Sequence, residues 1–547
     1  MEGQALTSPG REPFAPAFLA GEPRARPFLA ADFRRPEDRA RGVQTAVRRR
    51  VDDRLLAALR RQNAAFQPSP ARDAHLAALA GPSTVVVTGQ QVGLFLGPLY
   101  TFYKAASAVA LARLLERETG VRCIPVFWLQ TEDHDFPEVA TCHSRRADGT
   151  PVDIALAHDA PTADVGRCSL AHRLLGPEVS AAVGALEASL TGLPHAEAVM
   201  TLFGAHYRPG QRLAGAFANV LATLFAEEGL VLMDPRDADV AALGRGVFST
   251  CLTQAPALEA ALAIRSEALA AAGFKVQVPV RPGACLAFFH PQGAGGPRFR
   301  LEQAAGGWTA PGLERSLSTG ALCETLDADP LRFSTSALLR PVLQDTILPT
   351  AAYVGGPGEL NYFAELAPLY RAFGLEPTLF ALRARFRCVE PPARAALQAL
   401  GLAPADAELS PEALARKVPR RSTQALPDPA ALRQALLSEF ERTFSGLAPQ
   451  LAALDQGLDK ALRRTRETVD RGVGRFLRRY ERAIHGQDAV TQGRLDRLRA
   501  ALCPAGVPQE RYDGVPHFLA RHGIREFKAR IFDCLDPVAG TVRDVSL

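Results

Sequence analysis

The spacing of apolar and polar residues predicts a parallel α/β core. Residues Thr84–Val87 are stiff and mostly β-branched, as in a buried parallel strand, and Pro98 has the fixed φ favoured at the start of a helix. The segment between them, Thr88–Gly97, contains three glycines and leads to the positive end of that helix. This order is typical of an anion or nucleotide site, and Lys104 lies near enough to reach back to it. The alternatives are a solvated lysine and glycines that pack against a neighbouring strand.

Further apolar runs predict additional strands of the same sheet. Arg122–Leu129 follows a helix that ends at Gly120, so that strand, helix and strand make one right-handed crossover. A second unit of strand, loop and helix is predicted over Ile347–Phe363, with Glu359 in the first turn of its helix, and Pro377–Phe380 returns the chain to the sheet. Open parallel sheets bind ligands beyond the carboxyl ends of their strands, so the loops after these strands are expected to face one crevice.

Helical spacing dominates the start and the end of the chain. Residues 39–66 are predicted to form an amphipathic arm, and residues 161–326 have a mixed pattern that indicates insertions on the core. Apolar residues over 447–480 follow a 4-3-4-3 spacing, and an answering stripe over 495–502 begins after a break at Gly486. These stripes predict an antiparallel helical hairpin or coiled coil that is suited to dimerisation.

Composition narrows the class of protein. The chain has 547 residues, 47% of them apolar, and nine cysteines without a CxxC pair, which favours a multidomain globular protein with reduced thiols in the cytoplasm. The start lacks the order of a secretory signal, and the uncharged stretch 81–103 contains glycines, prolines and glutamines that argue against a membrane span. A net charge of +5, from 63 basic and 58 acidic residues, makes nucleic acid an unfavoured partner, although the predicted hairpin is rich in arginine.

The segment after the second strand has the residues best suited to chemistry. Glu132, Asp133, His134 and Asp135 follow one another at the mouth of the predicted crevice. Carboxylates beside an imidazole can bind a metal, hold a substrate ammonium group or act as a base. Without HExxH spacing or a cysteine pair, Mg²⁺ held between carboxylates and ATP phosphates is favoured over zinc, and no dedicated metal site is predicted. The alternative is a charged surface turn.

Four long stretches resemble a known family. They are VVVTGQQVGLFLGPLYTFYKAASAVALA (85–112), PVFWLQTEDHDFPEVA (125–140), SALLRPVLQDTILPTAAYVGGPGELNYFAEL (336–366) and CPAGVPQERYDGVPHFLARHG (503–523). In these motifs the chain is similar to the bacillithiol-biosynthesis cysteine-adding enzymes, also called the cysteine ligase BshC family. The resemblance implies an α/β fold with a Rossmann-like parallel-sheet core, inserted connecting segments and a C-terminal α-helical coiled coil that forms a homodimer. It also implies that L-cysteine is joined to glucosaminyl-malate in the last step of bacillithiol synthesis.

The resemblance and the patterns together predict a domain plan and a site. The plan is 1–160 for the first part of the core with its helical arm, 161–326 for inserted segments, 327–392 for the second part of the core, 393–525 for the coiled coil and 526–547 for a tail that returns to the core. Because a cysteine carboxylate is a poor electrophile at neutral pH, ATP is the expected co-substrate and Mg²⁺ a candidate companion. The expected catalytic residues are Lys104, Glu132, Asp133, His134 and Asp135. The expected substrate- or nucleotide-binding residues are Thr88, Gly89, Gln90, Gln91, Gly97, Tyr100, Arg340, Gln344, Asp345, Tyr353, Gly355, Gly356, Gly358, Glu359, Tyr362 and Arg383.

Alternatives remain open for both the mechanism and the function. The HxGH and KMSKS signatures of adenylating class I synthetases are replaced here by Gly89–Gly93 and Arg332–Ser336. Adenylyl transfer, phosphoryl transfer and a purely regulatory nucleotide are therefore all compatible with the sequence. A dimeric nucleotide-binding scaffold or regulator that acts through its coiled coil, without ligase turnover, is the second class of function.

Overall fold

The structure, a computed structural model, describes residues 11–156, 165–418, 427–455, 457–486 and 489–547. The chain divides into two compact units. The first comprises Met1–Phe386 and Glu510–Val545, and the second comprises Arg387–Gln509 and Ser546–Leu547. The five-part domain plan given above stays a prediction.

Strands and helices are numbered in chain order. The strands are β1 (Ser83–Gln90), β2 (Arg122–Leu129), β3 (Thr141–Arg145), β4 (Pro151–Ala155), β5 (Val231–Met233), β6 (Ala284–Phe289), β7 (Phe299–Ala304), β8 (Gly307–Thr309), β9 (Phe333–Thr335), β10 (Thr350–Gly355), β11 (Leu379–Leu382), β12 (Arg385–Val389) and β13 (Val542–Ser546). The helices are α1 (Phe14–Leu19), α2 (Pro36–Ala46), α3 (Asp53–Ala64), α4 (Pro70–Ala78), α5 (Tyr100–Thr119), α6 (Phe136–Val139), α7 (Glu178–Leu190), α8 (Ala196–His206), α9 (Leu213–Leu224), α10 (Ala238–Leu243), α11 (Arg245–Thr253), α12 (Ala255–Ala271), α13 (Thr319–Ala328), α14 (Leu339–Ile347), α15 (Pro357–Phe363), α16 (Ala367–Ala372), α17 (Pro391–Leu400), α18 (Pro411–Lys417), α19 (Pro429–Leu454), α20 (Gly457–Gly486), α21 (Ala489–Leu502), α22 (Gln509–Tyr512), α23 (Val515–His522) and α24 (Ile524–Cys534).

The first unit is built on a five-stranded parallel sheet in the order β11-β10-β1-β2-β5. Strand β1 is longer than predicted, because its ladder with β2 continues until Gln90 is opposite Leu129. The strand predicted at Arg122–Leu129 is confirmed as β2. The edge strand β5 comes from residues 161–326, which the sequence analysis assigns to insertions. The parallel α/β class predicted from the sequence is confirmed.

Helices pack on this sheet and fix its ends. Helix α5 contacts β1 and β2, α2 contacts β10, and α3 contacts β5. The predicted N-terminal arm is two helices, because Asp52 is extended and its side chain accepts a hydrogen bond from the backbone N–H of Arg54, which begins α3 anew. Gly42 in α2 allows close approach to β10, since a Cβ at that position would lie 2.8 Å from the carbonyl oxygen of Ala351.

Among the described residues, no single helix is long and apolar enough to cross a membrane. Helices α11 and α12 meet that length and apolarity only as a pair, and they are bent by 83° from each other. The uncharged stretch 81–103 forms β1, a buried turn and the first residues of α5.

The first unit also contains a four-stranded antiparallel sheet in the order β8-β7-β6-β9. In its register Phe288 of β6 is opposite both Arg300 of β7 and Ser334 of β9. The sheet therefore places two segments side by side, one near residue 300 and one near residue 335. It supplies part of the wall of the cavity described below.

The second unit is mainly helical among its described residues. Helices α19 and α20 pack along each other, and Arg433 forms an ion pair with Asp470 between them. The predicted helical hairpin is confirmed, and the predicted break at Gly486 is confirmed as the end of α20. An earlier break was missed: α19 ends at Leu454, where Asp455 adopts an extended conformation, so the hairpin is formed by α19 and α20. Apolar spacing alone did not reveal this end, because the stripe continues at nearly the same period in α20.

The predicted answering stripe packs on a different helix. Leu495, Leu498 and Leu502 of α21 form an apolar cluster with Ala393 and Leu397 of α17. These leucines are almost fully buried there. The stripe therefore builds the core of the second unit and does not close the hairpin.

Candidate active site

A cavity of about 490 Å³ opens beyond the carboxyl ends of β1, β2 and β10, where open parallel sheets bind ligands. It is large enough for a small-molecule substrate. The predicted site residues that line it are Gln90, Gln91, Tyr100, Lys104, Glu132, Asp133, Arg340, Gly356, Gly358, Glu359, Tyr362 and Arg383. The two units of strand, loop and helix therefore face one cavity, as the sequence predicted.

Lys104 connects the two strand-loop-helix segments of the sheet, β1 with α5 and β10 with α15. Its Nζ lies 2.6 Å from a carboxylate oxygen of Glu359 and donates to the carbonyl oxygen of Gly89 at 2.8 Å and to Oε1 of Gln90 at 3.0 Å. Burial lowers the pKa of Lys104 below its ordinary value, and the attraction of Glu359 works against that shift. The lysine is thus engaged with the protein on several sides and orients the end of β1.

Glu359 is held from three directions. It stands in the first turn of α15, where it accepts from the backbone N–H of Gly356 at 2.8 Å and from the hydroxyl of Tyr353 at 2.6 Å. Burial alone would raise the pKa of Glu359, but Lys104, Tyr353 and Gly356 together hold it below its ordinary value. This carboxylate is ionised and fixed in place.

The acidic segment after β2 is divided between the cavity and the surface. Glu132 is buried and lines the cavity, and its Oε2 accepts from the hydroxyl of Thr335. Asp133 also lines the cavity, where burial would raise its pKa but the charge of Arg298 and other contacts lower it. Asp135 is exposed and caps α6, accepting from the N–H of Glu138 at 3.3 Å. Unlike Glu132 and Asp133, Asp135 is not among the residues that line the cavity.

His134 lies behind the cavity wall. Its Nδ1 accepts a hydrogen bond of 2.9 Å from Nε of Arg298, whose Nη2 donates to Asp133 at 2.9 Å. Burial and the charge of Arg298 lower the pKa of His134, so the ring is neutral at pH 7. The imidazole therefore orients Arg298, and it is not among the residues that line the cavity.

Gln91 bridges two carboxylates at the rim. Its Nε2 donates to Asp133 at 2.8 Å and to Glu138 at 2.9 Å. Burial raises the pKa of Glu138. Among the described residues, no group of three or more His, Cys, Asp or Glu side chains is arranged to hold a metal ion. A Mg²⁺ ion would fit this rim only if phosphate oxygens completed its coordination.

Arg340 forms the floor of the cavity on the α14 side. Its Nη1 donates to Gln344 at 2.9 Å, its Nη2 donates to the hydroxyl of Tyr362 at 3.0 Å, and the guanidinium lies 4.7 Å from the ring centre of Tyr353. The tyrosines and Glu359 hold the pKa of Arg340 above its ordinary value despite burial. Gln344 and Tyr353 therefore act on the cavity through Arg340 and do not line it.

Four further predicted residues lie away from the cavity. Thr88 and Gly89 belong to β1, and the hydroxyl of Thr88 donates to the carbonyl of Val354 at 2.8 Å inside the sheet. Asp345 is buried on another side of α14, where it accepts from Tyr370 and Thr378. Gly355 ends β10 and is packed against the ring of Phe380. None of them lines the cavity.

The glycine-rich turn also differs from the prediction. Residues 92–96 are buried, and the ring of Phe95 packs against Tyr207 at 4.7 Å, while a Cβ on Gly93 would lie 3.3 Å from the Cα of Gly97. The N–H of Leu99 donates to the carbonyl of Asp513 at 2.7 Å. Residues 92–97 are therefore used for packing, and Gly97 is not among the residues that line the cavity.

Several cavity residues were not predicted. Arg281, Arg298 and Arg300 come from the region assigned to insertions, and Arg511 comes from the segment that returns after the second unit. Arg383 was predicted, and its guanidinium forms a two-point ion pair with Glu510 from that same segment. The missed arginines stand in no local motif: the antiparallel sheet brings Arg298 and Arg300 to the cavity, and Arg511 reaches it from α22.

The fold and the cavity define a Rossmann-like α/β protein with a ligand site at the end of its parallel strands. Comparison with known families agrees: "Bacillithiol biosynthesis BshC, N-terminal Rossmann-like domain" matches residues 1–384, and "Bacillithiol biosynthesis BshC, C-terminal coiled-coil domain" matches residues 386–543. The chain belongs to the BshC family of bacillithiol biosynthesis. The predicted resemblance and the predicted coiled-coil domain are both confirmed.

Curated relatives cover most of the chain. A protein of Salinibacter ruber is 32% identical over 498 residues, 90% of this chain and 89% of its own length. A protein of Koribacter versatilis is 33% identical over 493 residues, 89% of this chain and 88% of its own, and one of Symbiobacterium thermophilum is 31% identical over 540 residues, 93% and 92%. Each of the three carries the name "Putative cysteine ligase BshC".

Proposed function

We propose that this protein is a cysteine ligase that forms an amide between L-cysteine and the amino group of glucosaminyl-malate, with ATP as co-substrate, in the last step of bacillithiol synthesis. Family membership supports a ligase of bacillithiol biosynthesis. The observation that carries the proposal is a single cavity that combines buried carboxylates with guanidinium groups. Both substrates have an amine and at least one carboxylate, so a cavity of mixed charge suits them.

Glu132 is our candidate for the proton acceptor. Its Oε2 is fixed by Thr335, and the residue lines the cavity, so the carboxylate is positioned toward a bound amine. When the amine attacks an activated cysteinyl carboxyl group, the new amide bond forms, the activating group leaves and the amine loses a proton, which Glu132 would take. Lys104 and Glu359 would fix the neighbouring wall through their ion pair.

ATP would enter on the side of Tyr100 and Arg511. The Arg511 guanidinium lies 5.9 Å from the Tyr100 ring centre, and among the described residues no carboxylate lies within ion-pair distance of it. A phosphate could therefore pair with this guanidinium without breaking an existing contact. Adenylyl and phosphoryl activation both fit this arrangement.

The test is a reconstituted reaction. Purified protein with ATP, Mg²⁺, L-cysteine and glucosaminyl-malate is expected to yield a thiol product of the mass of bacillithiol. Glu132→Gln, which keeps an oxygen for Thr335, is expected to lower kcat by about 100-fold. The matched control is Glu197→Gln on the exposed face of α8. Nucleotide binding without any product would refute the ligase and favour the dimeric scaffold.

A further inference from the structure

Ser336 carries a hydroxyl that the fold leaves without a partner. The residue is 7% exposed and lines the cavity, and its Oγ has no hydrogen-bond partner among the described residues. Its carbonyl oxygen accepts from the N–H groups of Leu339 and Arg340, so it stands where the cap of α14 is expected. A serine in that position ordinarily accepts a hydrogen bond from its own helix. Here the hydroxyl is buried beside the cavity and makes no such bond within the described part of the chain.

The same place offers backbone donors. Ala337 and Leu338, which follow Ser336 and also line the cavity, precede the nine-residue helix α14. The first N–H groups of a helix have no partner inside it, and the helix dipole is positive at this end. A negatively charged group beside Ser336 would therefore meet a hydroxyl and the positive end of α14 together.

Two guanidinium groups add charge at this position. Nη1 of Arg300 donates to the carbonyl of Cys285 at 3.4 Å, and the N–H of Ser336 donates to the carbonyl of the next residue, Leu286, at 3.2 Å. Arg300 and Ser336 are thus fixed to successive residues of β6. Among the described residues, neither Arg281 nor Arg300 has a carboxylate within ion-pair distance. Burial and the nearby charge of Arg281 both lower the pKa of Arg300.

Two like charges without an ion-paired carboxylate favour a ligand with more than one negative group. The adjacent residue, Thr335, donates to Glu132, so the basic cluster lies next to the carboxylate proposed to face an amine. A substrate that carries an amine at one end and two carboxylates at the other matches this order of charges. Lys104, in contrast, is already neutralised by Glu359 and adds little to anion binding here.

We propose that Ser336, the first turn of α14 and the guanidinium groups of Arg281 and Arg300 bind the two carboxylates of a dicarboxylate acceptor. The assignment rests on the proposed function, which supplies an acceptor with a malyl group. It makes Ser336 and Arg300 determinants of acceptor specificity, whereas ATP and cysteine are bound elsewhere in the cavity.

Steady-state kinetics with Ser336→Ala test the assignment. The substitution removes no hydrogen bond within the described part of the chain, so the fold is expected to stay intact. A hydrogen bond to a charged group corresponds to a rise of about tenfold or more in KM for glucosaminyl-malate. The KM values for ATP and cysteine are expected to stay unchanged. The matched control is Ser180→Ala on the exposed side of α7.

Arg300→Gln provides a second variant, with exposed Arg60→Gln as its control. It is expected to raise KM for the acceptor as well, and Arg300→Lys is expected to recover only part of the loss, because a lysine lacks the guanidinium fork. If either Ser336→Ala or Arg300→Gln raises KM for ATP and not for the acceptor, the cluster holds phosphate and the inference is overturned. Unchanged kinetics in both variants overturn it as well, and leave the proposed function intact.

Binding without turnover separates this inference from the proposed function. L-malate is expected to raise the melting temperature of the wild-type protein, and Ser336→Ala is expected to lose that rise. Inorganic phosphate at the same concentration is expected to give a smaller rise. If the malate effect is seen while the reconstituted reaction gives no product, the dicarboxylate site stands and the ligase proposal fails. A larger rise with phosphate than with malate refutes the dicarboxylate assignment.

Discussion

Lys104 and Glu359 form an ion pair that is nearly closed off from water, with 5% and 18% of their side chains exposed. Lys104→Met would leave the carboxylate of Glu359 buried without its counter-ion. We expect this change to lower the free energy of unfolding by about 3–5 kcal/mol. Urea unfolding followed by tryptophan fluorescence measures it, because Trp128 and Trp308 both lie in the first unit.

The double variant Lys104→Met with Glu359→Gln removes both charges and is expected to recover most of that loss. Arg122→Met breaks the more exposed pair with Glu116 and is expected to cost about 0–1 kcal/mol. If the double variant is as unstable as the single one, the loss comes from packing and not from an unpaired charge. Loss of activity in Lys104 variants has to be judged against this structural effect.

Glu365 is expected to make the stability of the first unit depend on pH. It is 1% exposed, its Oε1 accepts from the N–H groups of Gln277 and Val278, and its Oε2 has no partner among the described residues. Burial raises the pKa of Glu365 to about 7 from its ordinary value of 4.5. Below pH 4.5 the side chain is protonated in both the folded and the unfolded state, so it contributes no dependence there.

Between pH 4.5 and 7 the unfolded state releases this proton first, so stability falls as pH rises, by about 3 kcal/mol in total. Above pH 7 Glu365 is ionised in both the folded and the unfolded state, so it causes no further change in stability with pH. Glu365→Gln keeps an acceptor for Gln277 and Val278 but cannot ionise, and it is expected to lack this fall. Urea unfolding of both proteins at pH 5 and pH 7.5 checks the prediction. A stability difference between them that is the same at both pH values would contradict it.

Local motifs predicted some of the residues that line the cavity, whereas other lining residues stand in no local motif. Lys104 and Glu359 were predicted because each follows a strand and its glycines, and both line the cavity. Their roles there stay a prediction. Ser336 was not among the expected site residues, since its unpaired hydroxyl is a property of the fold and not of a local motif. Arg298 and Arg300 gave no signal, because arginines beside or within a short strand are ordinary in exposed sheets.

At the scale of elements, Gly355 shows how tightly β10 packs. A Cβ at this position would lie 2.7 Å and 2.9 Å from two ring carbons of Phe380 and 3.1 Å from Cβ of Glu359. We expect Gly355→Ala to lower the free energy of unfolding by about 1–3 kcal/mol through overpacking. Gly358→Ala is the control, because no atom lies within 4 Å of a Cβ there and alanine is favoured in a helix. Equal stability of the two variants would show that the ring of Phe380 moves freely.

Strands were predicted more accurately than the turn between β1 and α5. Arg122–Leu129 matches β2 because its apolar run is bounded on both sides, and β1 was recognised from its β-branched residues. Within the predicted loop, Gln90 and Gln91 line the cavity, whereas Phe95 and Leu96 adopt positive φ, 49° and 72°, and pack into the protein. The glycines predicted a tight turn. They could not predict that the turn packs against Tyr207, which lies more than 100 residues away in the chain.

At the scale of the whole molecule, the cavity draws on segments from many parts of the chain. Residues near 90, 132, 281, 300, 336, 359 and 511 all line it. The parallel order β10-β1-β2 unites three of these segments, and this part follows from the general rule for open sheets. The antiparallel sheet and the segment after the second unit supply the rest, and long-range pairing of that kind leaves no periodic signal in sequence.

The homodimer stays a prediction, and the helices of the second unit suggest how to test it. Leu447 of α19 and Phe476 of α20 are 42% and 52% exposed in the single chain. If a second copy covers them, the wild-type protein has twice the mass of one chain in solution. Leu447→Lys with Phe476→Lys is then expected to yield monomers, because two buried ammonium groups on each side oppose association.

Light scattering coupled to size-exclusion chromatography measures the mass of each protein in solution. Thr468→Lys, at an exposed position of α20, is the control for added charge. Far-ultraviolet circular dichroism shows whether the double variant keeps its helices. A wild-type protein that is monomeric at all concentrations refutes the dimer. A double variant that stays dimeric places the interface on another surface. Because the cavity is lined by residues of the first unit, the monomeric variant is expected to keep its ligase activity, which makes the role of the dimer separable from that of the site.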